Sequence, residues 1–356
     1  MSLNAYPCPH CGSALEEADG GMLRCPSCGI GIAEKNAAEF SRESDCGPDS
    51  ITWDEYDPIK VLEAVTGECV QCGTIFAVPA EAAQYLNENA GEDAAHCPFC
   101  DSVVTAGGAA APLPDLIVPF KKDRQAAEDA FLRFCSFKPL LPKGFSPNSR
   151  AKLLKKVYIP LWVMDCSAKS KQRFEAEKTR TKRGDSAKTI QTDVFMTLRE
   201  GSAKYKDICE VASTSAVKSL GKADLPVLSG AEPFSGKAPE AMTVVSDIPA
   251  EDAHKSAAER VRSSMNKLLS DSVKGYTHKK LRSGALTICD AQTKLALFPM
   301  WIVSTKYKKK TYRFIMNGCT GKTSGELPFS RAKLAILCAF VTAGIAAVGS
   351  ALSLLL

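Results

Sequence analysis

The stretches 8–12 (CPHCG) and 25–29 (CPSCG) decide the fold of the N-terminus. Two Cys-x-x-Cys pairs at this separation are typical of a zinc ribbon, because their four thiolates can occupy the corners of one tetrahedron. A glycine follows each pair and accepts the positive φ angle that lets backbone amides point at the sulfur atoms. Between the pairs, 19–21 (DGG) predicts the turn of a short hairpin that joins the two knuckles.

A second pair of knuckles lies at 69–73 (CVQCG) and 97–101 (CPFCD), where Asp101 replaces the usual glycine. Aspartate tolerates the left-handed region better than most residues, so the departure is mild. The gap of 24 residues between these pairs admits a helical insert at 80–89. The eight predicted metal ligands are Cys8, Cys11, Cys25, Cys28, Cys69, Cys72, Cys97 and Cys100.

These ligands predict two zinc ions per chain, each in a closed site of the structural type, because four protein thiolates leave no coordination position for water or substrate. Iron bound as in rubredoxin is the alternative, since it uses the same four thiolates. His10 and His96 lie beside ligands, but each cysteine set is already complete, so both are interpreted as bystanders. The other seven cysteines are scattered singly, and residues 1–30 contain no apolar run that would predict a signal peptide.

Charge divides the chain into two unequal parts. Residues 1–112 contain 18 acidic side chains and only four basic ones, which gives a net charge of −14. The remainder, 113–356, carries a net charge of +19. Phosphate contacts require lysine and arginine, so the acidic part is a poor candidate for binding DNA and a better one for binding a protein. Leu15, Ile30 and Phe99 are predicted docking side chains on this part.

We predict an α+β fold with five segments. They are a first ribbon at 1–34, a linker at 35–65, a second ribbon at 66–104, an α+β domain at 115–330 and a transmembrane helix at 334–356. Within the domain, Pro-x-Trp occurs at Pro160/Trp162 and again at Pro299/Trp301. This spacing predicts two pseudo-repeats, about 115–200 and 240–330, each built as a strand, a helix and a hairpin.

The last 23 residues, 334–356, contain no charged side chain, and Arg331 and Lys333 precede them. A helix of this length would measure about 34 Å, which is enough for a hydrocarbon core of about 30 Å. We therefore predict a single-pass C-terminal membrane anchor that contacts lipid, with the bulk of the chain in the cytoplasm. Alanine recurs at every fourth position from Ala335 to Ala351, which makes this helix a candidate seam for a homo-oligomer.

Two basic clusters occur at 169–188 and 306–313. They are interpreted either as solvated faces or as contacts with lipid head groups or nucleic acid. We find no serine, cysteine or carboxylate arrangement that indicates catalysis, and four histidines offer little general-base material. The sequence thus predicts a protein that is not an enzyme.

The chain resembles a family of bacterial membrane-anchored proteins with two zinc ribbons. Members are often called transcription-factor-IIB-type zinc ribbon proteins, or are related to the zinc-binding part of the primosomal replication factor Y helicase. Besides the doubled CPxCG motifs, the resemblance rests on 118–120 (VPF), 140–145 (LLPKGF), 158–162 (YIPLW) and 312–328 (YRFIMNGCTGKTSGELP). No segment matches a helicase motor domain.

Proteins of this kind accompany flotillin-like (SPFH) and phage-shock-type membrane stress proteins, so the resemblance implies an adaptor or scaffold role. The function expected from the sequence is a membrane-tethered zinc protein whose acidic ribbons bind a protein partner. The alternative is a nucleic-acid-binding regulator of transcription or replication that uses the ribbons or the basic part of the chain.

Overall fold

The computed structural model describes residues 8, 11, 13–34, 46–56, 60–86, 94–183, 188–220, 228, 230–308 and 310–355. These residues form a large mixed sheet with helices beside it. The chain divides into two compact units. Unit 1 consists of Met1–Glu55, Met164–Ile208 and His254–Thr293, and unit 2 consists of Tyr56–Val163, Cys209–Ala253 and Lys294–Leu356.

Fifteen strands are described, and three of them are far longer than the rest. In chain order they are β1 (Glu16–Ala18), β2 (Met22–Arg24), β3 (Gly31–Ala33), β4 (Ser50–Ile51), β5 (Val65–Cys69), β6 (Ile75–Val78), β7 (Val104–Ala106), β8 (Leu116–Ile117), β9 (Lys155–Arg183), β10 (Lys188–Val211), β11 (Glu232–Pro233), β12 (Met242–Val244), β13 (His278–Tyr307), β14 (Lys310–Asn317) and β15 (Thr323–Gly325). The long strands β9, β10 and β13 contribute residues to both units.

The described helices are α1 (Arg124–Ser136), α2 (Pro147–Ala151), α3 (Thr214–Leu220), α4 (Ala250–Ser272) and α5 (Arg331–Leu355), together with a 3-10 helix at Ala80–Tyr85. Helix α1 illustrates how sequence fixes an element. The Asp123 carboxylate accepts a hydrogen bond from the Ala126 amide at 2.8 Å and caps the first turn. The apolar face of α1 then places Phe131 against Phe314, with ring centroids 5.0 Å apart.

In unit 1, β1, β2 and β3 form an antiparallel meander, and β3 continues it by pairing in parallel with β10. The hairpin predicted at 19–21 is confirmed, because β1 and β2 pair across this turn. Helix α4 covers another part of this unit, where Leu269 and Val273 pack on Phe174 of β9.

Residues 164–177 of β9 alternate strictly between buried and more exposed positions, as a strand with one covered face requires. The buried residues of this face are Met164, Cys166, Ala168, Ser170, Gln172, Phe174 and Ala176. The first basic cluster, 169–188, begins on the opposite face, where Lys169 is exposed. Because serine and glutamine occupy buried positions, the hydrophobic pattern of this segment is weak in the sequence.

In unit 2, the strands follow the order β9-β12-β6-β5-β7, and a further set pairs β11 with β8, β8 with β13, β13 with β14 and β14 with β15. The largest core lies here and contains the fully buried side chains of Phe76, Phe99 and Ile159. The order of a short strand, a helical segment and two further strands occurs twice in the chain, as β8-α1-α2-β9-β10 and as β12-α4-β13-β14.

The predicted α+β class with a C-terminal transmembrane helix is wrong. The strands join in a large mixed sheet, and the Pro-x-Trp segments belong to β9 and β13, which run for 29 and 30 residues. The polar residues that follow each tryptophan belong to the same strand, because backbone pairing with neighbouring strands does not depend on an apolar side chain at every second position.

The prediction of a membrane-spanning helix at 334–356 is also wrong. Of the helices in the described part of the chain, none combines the length and the continuous apolar character that crossing a bilayer demands. A hydrocarbon core of about 30 Å needs about 20 predominantly apolar residues in one helix. The prediction rested on the length of the segment and on its lack of charge, and lack of charge is a weaker criterion than continuous apolar character. The predicted single-pass anchor and its lipid contact depended on this span and are not supported.

Candidate metal centres

The structure brings the eight predicted ligands together in two groups of four, and within each group the sulfur atoms lie within 4.8 Å of one another. In the first group, Sγ of Cys8 is 3.6 Å from Sγ of Cys28, and Sγ of Cys11 is 3.4 Å from Sγ of Cys25. Sulfur atoms at 2.3 Å from a shared tetrahedral metal would lie about 3.8 Å apart. The first group therefore has the size of a four-thiolate metal site.

The second group has the same dimensions. Sγ of Cys69 is 3.4 Å from Sγ of Cys100, and Sγ of Cys72 is 3.6 Å from Sγ of Cys97. Each group can hold one metal ion, which gives two ions per chain. Because all four donors in each group are cysteine sulfurs, a bound ion would have no position open to water or to a substrate.

Each described knuckle folds through the same pair of backbone hydrogen bonds. In the second half of the first ribbon, the Cys25 amide donates to the Ile30 carbonyl at 2.8 Å and the Gly29 amide donates to the Cys25 carbonyl at 2.9 Å. At the end of the second ribbon, the Asp101 amide bonds in the same way to the Cys97 carbonyl at 2.9 Å. Asp101 has a φ of 63°, so aspartate adopts here the left-handed conformation that glycine adopts at Gly29 and Gly73.

Burial distinguishes the two groups. In the first group, Cys8 and Cys25 are buried, whereas Cys11 and Cys28 are exposed. In the second group, three of the four cysteines are buried, and only Cys72 is exposed. The second group also belongs to the main core of unit 2, where Phe99 packs near Phe76 at a centroid distance of 6.1 Å. Phe99 is thus a core residue, and its predicted role as an exposed docking side chain is wrong.

Side chains from the long strands hold the last knuckle of the second ribbon. Ser304 of β13 donates to the carbonyl oxygens of Pro98 and Phe99, at 2.6 and 3.0 Å. Arg313 of β14 donates through Nε to the same Phe99 oxygen at 2.8 Å. Sequence reasoning missed both residues, because they lie more than 200 positions from the knuckle and no local motif includes them.

A third side chain reaches this knuckle from β9. The Lys155 ammonium donates to the His96 carbonyl oxygen at 3.1 Å and lies 3.3 Å from the Asp101 carboxylate. The His96 ring bonds through Nδ1 to the Asp101 carbonyl at 3.2 Å, so it takes part in the knuckle without belonging to the cysteine group. His10 and Gly12 lie outside the described residues.

Hydrogen bonds and burial shift the pKa values of thiols in both groups. A hydrogen bond from Cys97 lowers the pKa of the Cys72 thiol to about 4, whereas burial raises the pKa of Cys69 to about 11. In the first ribbon, hydrogen bonds from Ser13 lower the pKa of the Cys11 thiol to about 6. A metal that takes all four thiolates must therefore displace the protons that the group shares, so its affinity falls as the pH falls.

In the described part of the first ribbon, residues 8, 11 and 13–34, the contacts with a distant strand involve β10. The Arg24 guanidinium donates to the Gly29 carbonyl at 3.0 Å and to the Asp193 carboxylate at 3.1 Å. Gly31 lies so close to Asp193 that an added Cβ would meet the carboxylate oxygen at 2.8 Å, so a larger residue here would have to displace the Asp193 side chain. Two residue pairs, Gly31 with Asp193 and Ile32 with Val194, make up the described strand contact.

The predicted linker at 35–65 has anchored residues in its described part. The Asp54 carboxylate accepts from the Thr293 amide at 2.9 Å and from its hydroxyl at 2.7 Å. That hydroxyl is 2.9 Å from His254 Nε2, and His254 stacks on Trp53 with ring centroids 4.9 Å apart. The single Thr293 proton goes to Asp54, so His254 donates to Thr293. Threonine therefore lies between the carboxylate and the histidine, whereas a hydrolase triad places the histidine between the carboxylate and the hydroxyl.

Comparison with known proteins identifies one curated relative. The chain is 26% identical over 236 residues to a Bacillus subtilis (strain 168) protein named "Uncharacterized protein YdjG". The similarity covers 62% of this chain and 66% of the relative, just under two thirds of its length. No family model matches the chain, and no solved structure matches it.

Proposed function

We propose that the chain is a zinc-dependent adaptor in which two closed zinc sites have different tasks. The second site supports the core of unit 2, and the first ribbon presents a surface to a protein partner. The observation that carries this proposal is the unequal burial of two otherwise similar ligand groups. Sites closed by four thiolates are typical of structural zinc, and they offer no position for a reacting group.

Zinc and iron both accept four thiolates, so metal identity is part of the proposal. Purified full-length chain should contain two zinc ions and show no thiolate-to-iron absorption. Elemental analysis that finds iron in excess of zinc, after expression with both metals supplied, would replace zinc with iron in this proposal.

The described surface of the first ribbon is acidic. Glu16, Glu17, Asp19 and Glu34 are all exposed, whereas Arg24, the single cation of residues 13–34, is bonded to Asp193. Strand β1 pairs with β2 along one edge and is the terminal member of its strand order. An acidic sheet edge of this kind favours a partner with lysine or arginine on its docking surface. Flotillin-like and phage-shock-type proteins are the first candidates, on the family resemblance alone.

The test uses the full-length chain and purified candidate proteins. Binding is measured by interferometry for the parent chain, for Glu16→Lys combined with Glu17→Lys, and for Asp271→Lys. Asp271 is an exposed acidic residue on α4 and serves as the matched control. The proposal expects the double variant to bind at least tenfold more weakly and the control to bind as the parent does. Equal binding by all three chains would refute a docking role for the first ribbon.

Nucleic-acid binding through the basic part of the chain is the second candidate, supported by Lys169 and other basic residues on the exposed face of β9. Such binding would be strongest at low salt, because it depends on release of counterions from the phosphates. A gel-shift titration of the full-length chain with random duplex DNA at low salt distinguishes the two functions. Micromolar retention that disappears at high salt would favour the regulator over the adaptor.

A further inference from the structure

A cavity of about 460 Å³ lies within unit 2, away from both cysteine groups. Its lining is mainly apolar and comes from the loop after α1, the strands β14 and β15, the segment before α5 and one residue of α5. The residues that matter here are Leu140, Leu141, Tyr312, Leu327 and Leu337, with Lys138 and Lys310 also in the lining. Cavities of about 300–1,000 Å³ with this mixture of apolar wall and few polar groups are typical of small-molecule sites.

The wall of the cavity is held in place by hydrogen bonds to the start of α5. The Lys333 ammonium donates to the carbonyl oxygens of Leu141 and Pro139, at 2.7 and 3.3 Å. The Ser330 amide donates to the Leu140 carbonyl at 2.8 Å. These three bonds fix the loop against α5, so the cavity exists before any ligand binds, which lowers the entropic cost of binding.

Gly325 lines the cavity at the point where β15 pairs with β14. It has a φ of 154°, and an added Cβ would lie 2.8 Å from the Phe314 Cα, so β15 approaches β14 here in a way that only glycine allows. The neighbouring Leu327 is half-buried and presents its side chain to the cavity. The close packing of β15 on β14 therefore fixes the part of the wall that contains Gly325 and Leu327.

Charge on the cavity lining is predominantly positive. The Lys138 ammonium lies 5.2 Å from the centroid of the Phe134 ring, and the Lys310 ammonium lies 5.2 Å from the centroid of the Tyr312 ring. The single carboxylate of the lining, Glu326, is 3.8 Å from Lys310. Both members of that ion pair are largely exposed, and exposed pairs of this kind contribute little, so an anion can compete for Lys310.

From the apolar space and the cations on its lining, we infer that unit 2 binds a single-chain amphiphile, namely a free fatty-acid anion. Its alkyl chain lies along Leu141, Leu327 and Leu337, and its carboxylate binds between Lys138 and Lys310. The ligand binds as a single dissolved molecule and not as part of a micelle or a bilayer. The site is independent of the proposed zinc adaptor, because none of its lining residues belongs to a cysteine group.

The test measures displacement of a dansyl-labelled undecanoic acid from the full-length chain in detergent-free buffer, with each competitor below its micellar concentration. Octanoate, decanoate and dodecanoate should compete with affinities that rise roughly tenfold for each pair of methylenes, as burial of alkyl surface requires. Dodecanol and dodecyltrimethylammonium carry the same alkyl chain with a neutral and a cationic head. Both should compete at least tenfold more weakly than dodecanoate.

Two pairs of variants locate the site. Lys138→Ala combined with Lys310→Ala should weaken dodecanoate about tenfold and leave dodecanol unchanged, whereas Lys143→Ala, an exposed lysine outside the lining, should change neither. Leu337→Glu should abolish binding of dodecanoate, and Ile336→Glu should not. Leu337 and Ile336 are both exposed on α5, so neither substitution disturbs a buried core, and only Leu337 lines the cavity.

Three outcomes would overturn the inference. The first is a failure of every alkyl carboxylate to displace the label, and the second is equal competition by dodecanoate and dodecyltrimethylammonium. The third is sedimentation of the chain with phosphatidylglycerol vesicles when monomeric dodecanoate does not bind. That result would assign the same lysines to a lipid surface instead of a free fatty acid.

Discussion

The two ribbons share one ligand pattern, yet they differ in how the rest of the chain surrounds them. The first ribbon contacts β10 through two residue pairs and exposes two of its cysteines. In the second ribbon, β5 and β6 continue the sheet to β12, and its last knuckle is bonded by Ser304 and Arg313. The comparison teaches that a local metal-binding pattern does not decide whether the site is a surface module or part of a core.

The largest effect is expected for Cys97→Ser. Cys97 is fully buried in the core of unit 2. Its replacement should prevent the second metal from binding and leave the three remaining thiols of that group without a metal. Metal binding contributes about 10–16 kcal/mol in zinc-finger peptides, which is as large as the whole stability of a typical domain, about 5–15 kcal/mol. We expect aggregation or loss of the cooperative unfolding transition, measured by calorimetry. A variant that keeps its melting temperature would show that the two ribbons do not differ as described.

A smaller and local effect is expected for Cys25→Ser. The substitution should release one zinc ion and leave the transition of unit 2 unchanged, because the ligand sets are separate and the first ribbon lies in unit 1. Zinc content and calorimetry on the same sample test this.

A chelator provides the control for Cys25→Ser. Zinc should leave the parent chain in a fast and a slow phase, because exposed thiolates are easier to reach, and the fast phase should be missing from the variant. Loss of both zinc ions on this single substitution would contradict separate sites.

A third prediction concerns the support of the second knuckle. Arg313→Ala removes one donor from the Phe99 carbonyl, which still receives a bond from Ser304, so the free energy of unfolding should fall by about 1–2 kcal/mol. Arg24→Ala is the matched change at the first ribbon and should leave the free energy of unfolding of unit 2 unchanged. If both substitutions lowered this free energy equally, the second ribbon would not be coupled to the core more strongly than the first.

The smallest effect is expected for Asp49→Asn, in the segment that follows the first ribbon. Hydrogen bonding to Arg262 holds the pKa of the Asp49 carboxyl below its usual value, and the Leu286 amide also donates to it at 2.9 Å. A lowered pKa stabilises the fold above the unfolded-state value of about 3.9, and this stabilisation is lost as the pH falls through the folded-state pKa.

Because the Asp49 pair is partly exposed, Asp49→Asn should cost less than about 1 kcal/mol at pH 7. The difference between variant and parent should vanish in acid, as judged by urea unfolding at several pH values. A difference that persists unchanged at pH 2 would exclude the ion pair as its cause.

The sequence identified the ligand positions and the first hairpin, because each depends on residues within a few positions of one another. It misassigned Phe99, which looked exposed beside a knuckle and is buried against Phe76. It also led to the wrong prediction that the C-terminal helix spans a membrane. Both errors came from extending a local pattern to an environment that distant residues create.

By itself, the sequence determined which thiols form each group, since a Cys-x-x-Cys knuckle closes through hydrogen bonds within one turn. Only the tertiary structure decided that the second ribbon is part of a core, and that Ser170 and Gln172 face the interior of unit 1. The same holds for the cavity beside α5, whose wall depends on bonds from Lys333 to carbonyls more than 190 residues earlier. The physical reason is that burial is set by strand pairing between remote segments, whereas the geometry of a knuckle is set by the backbone of its own residues.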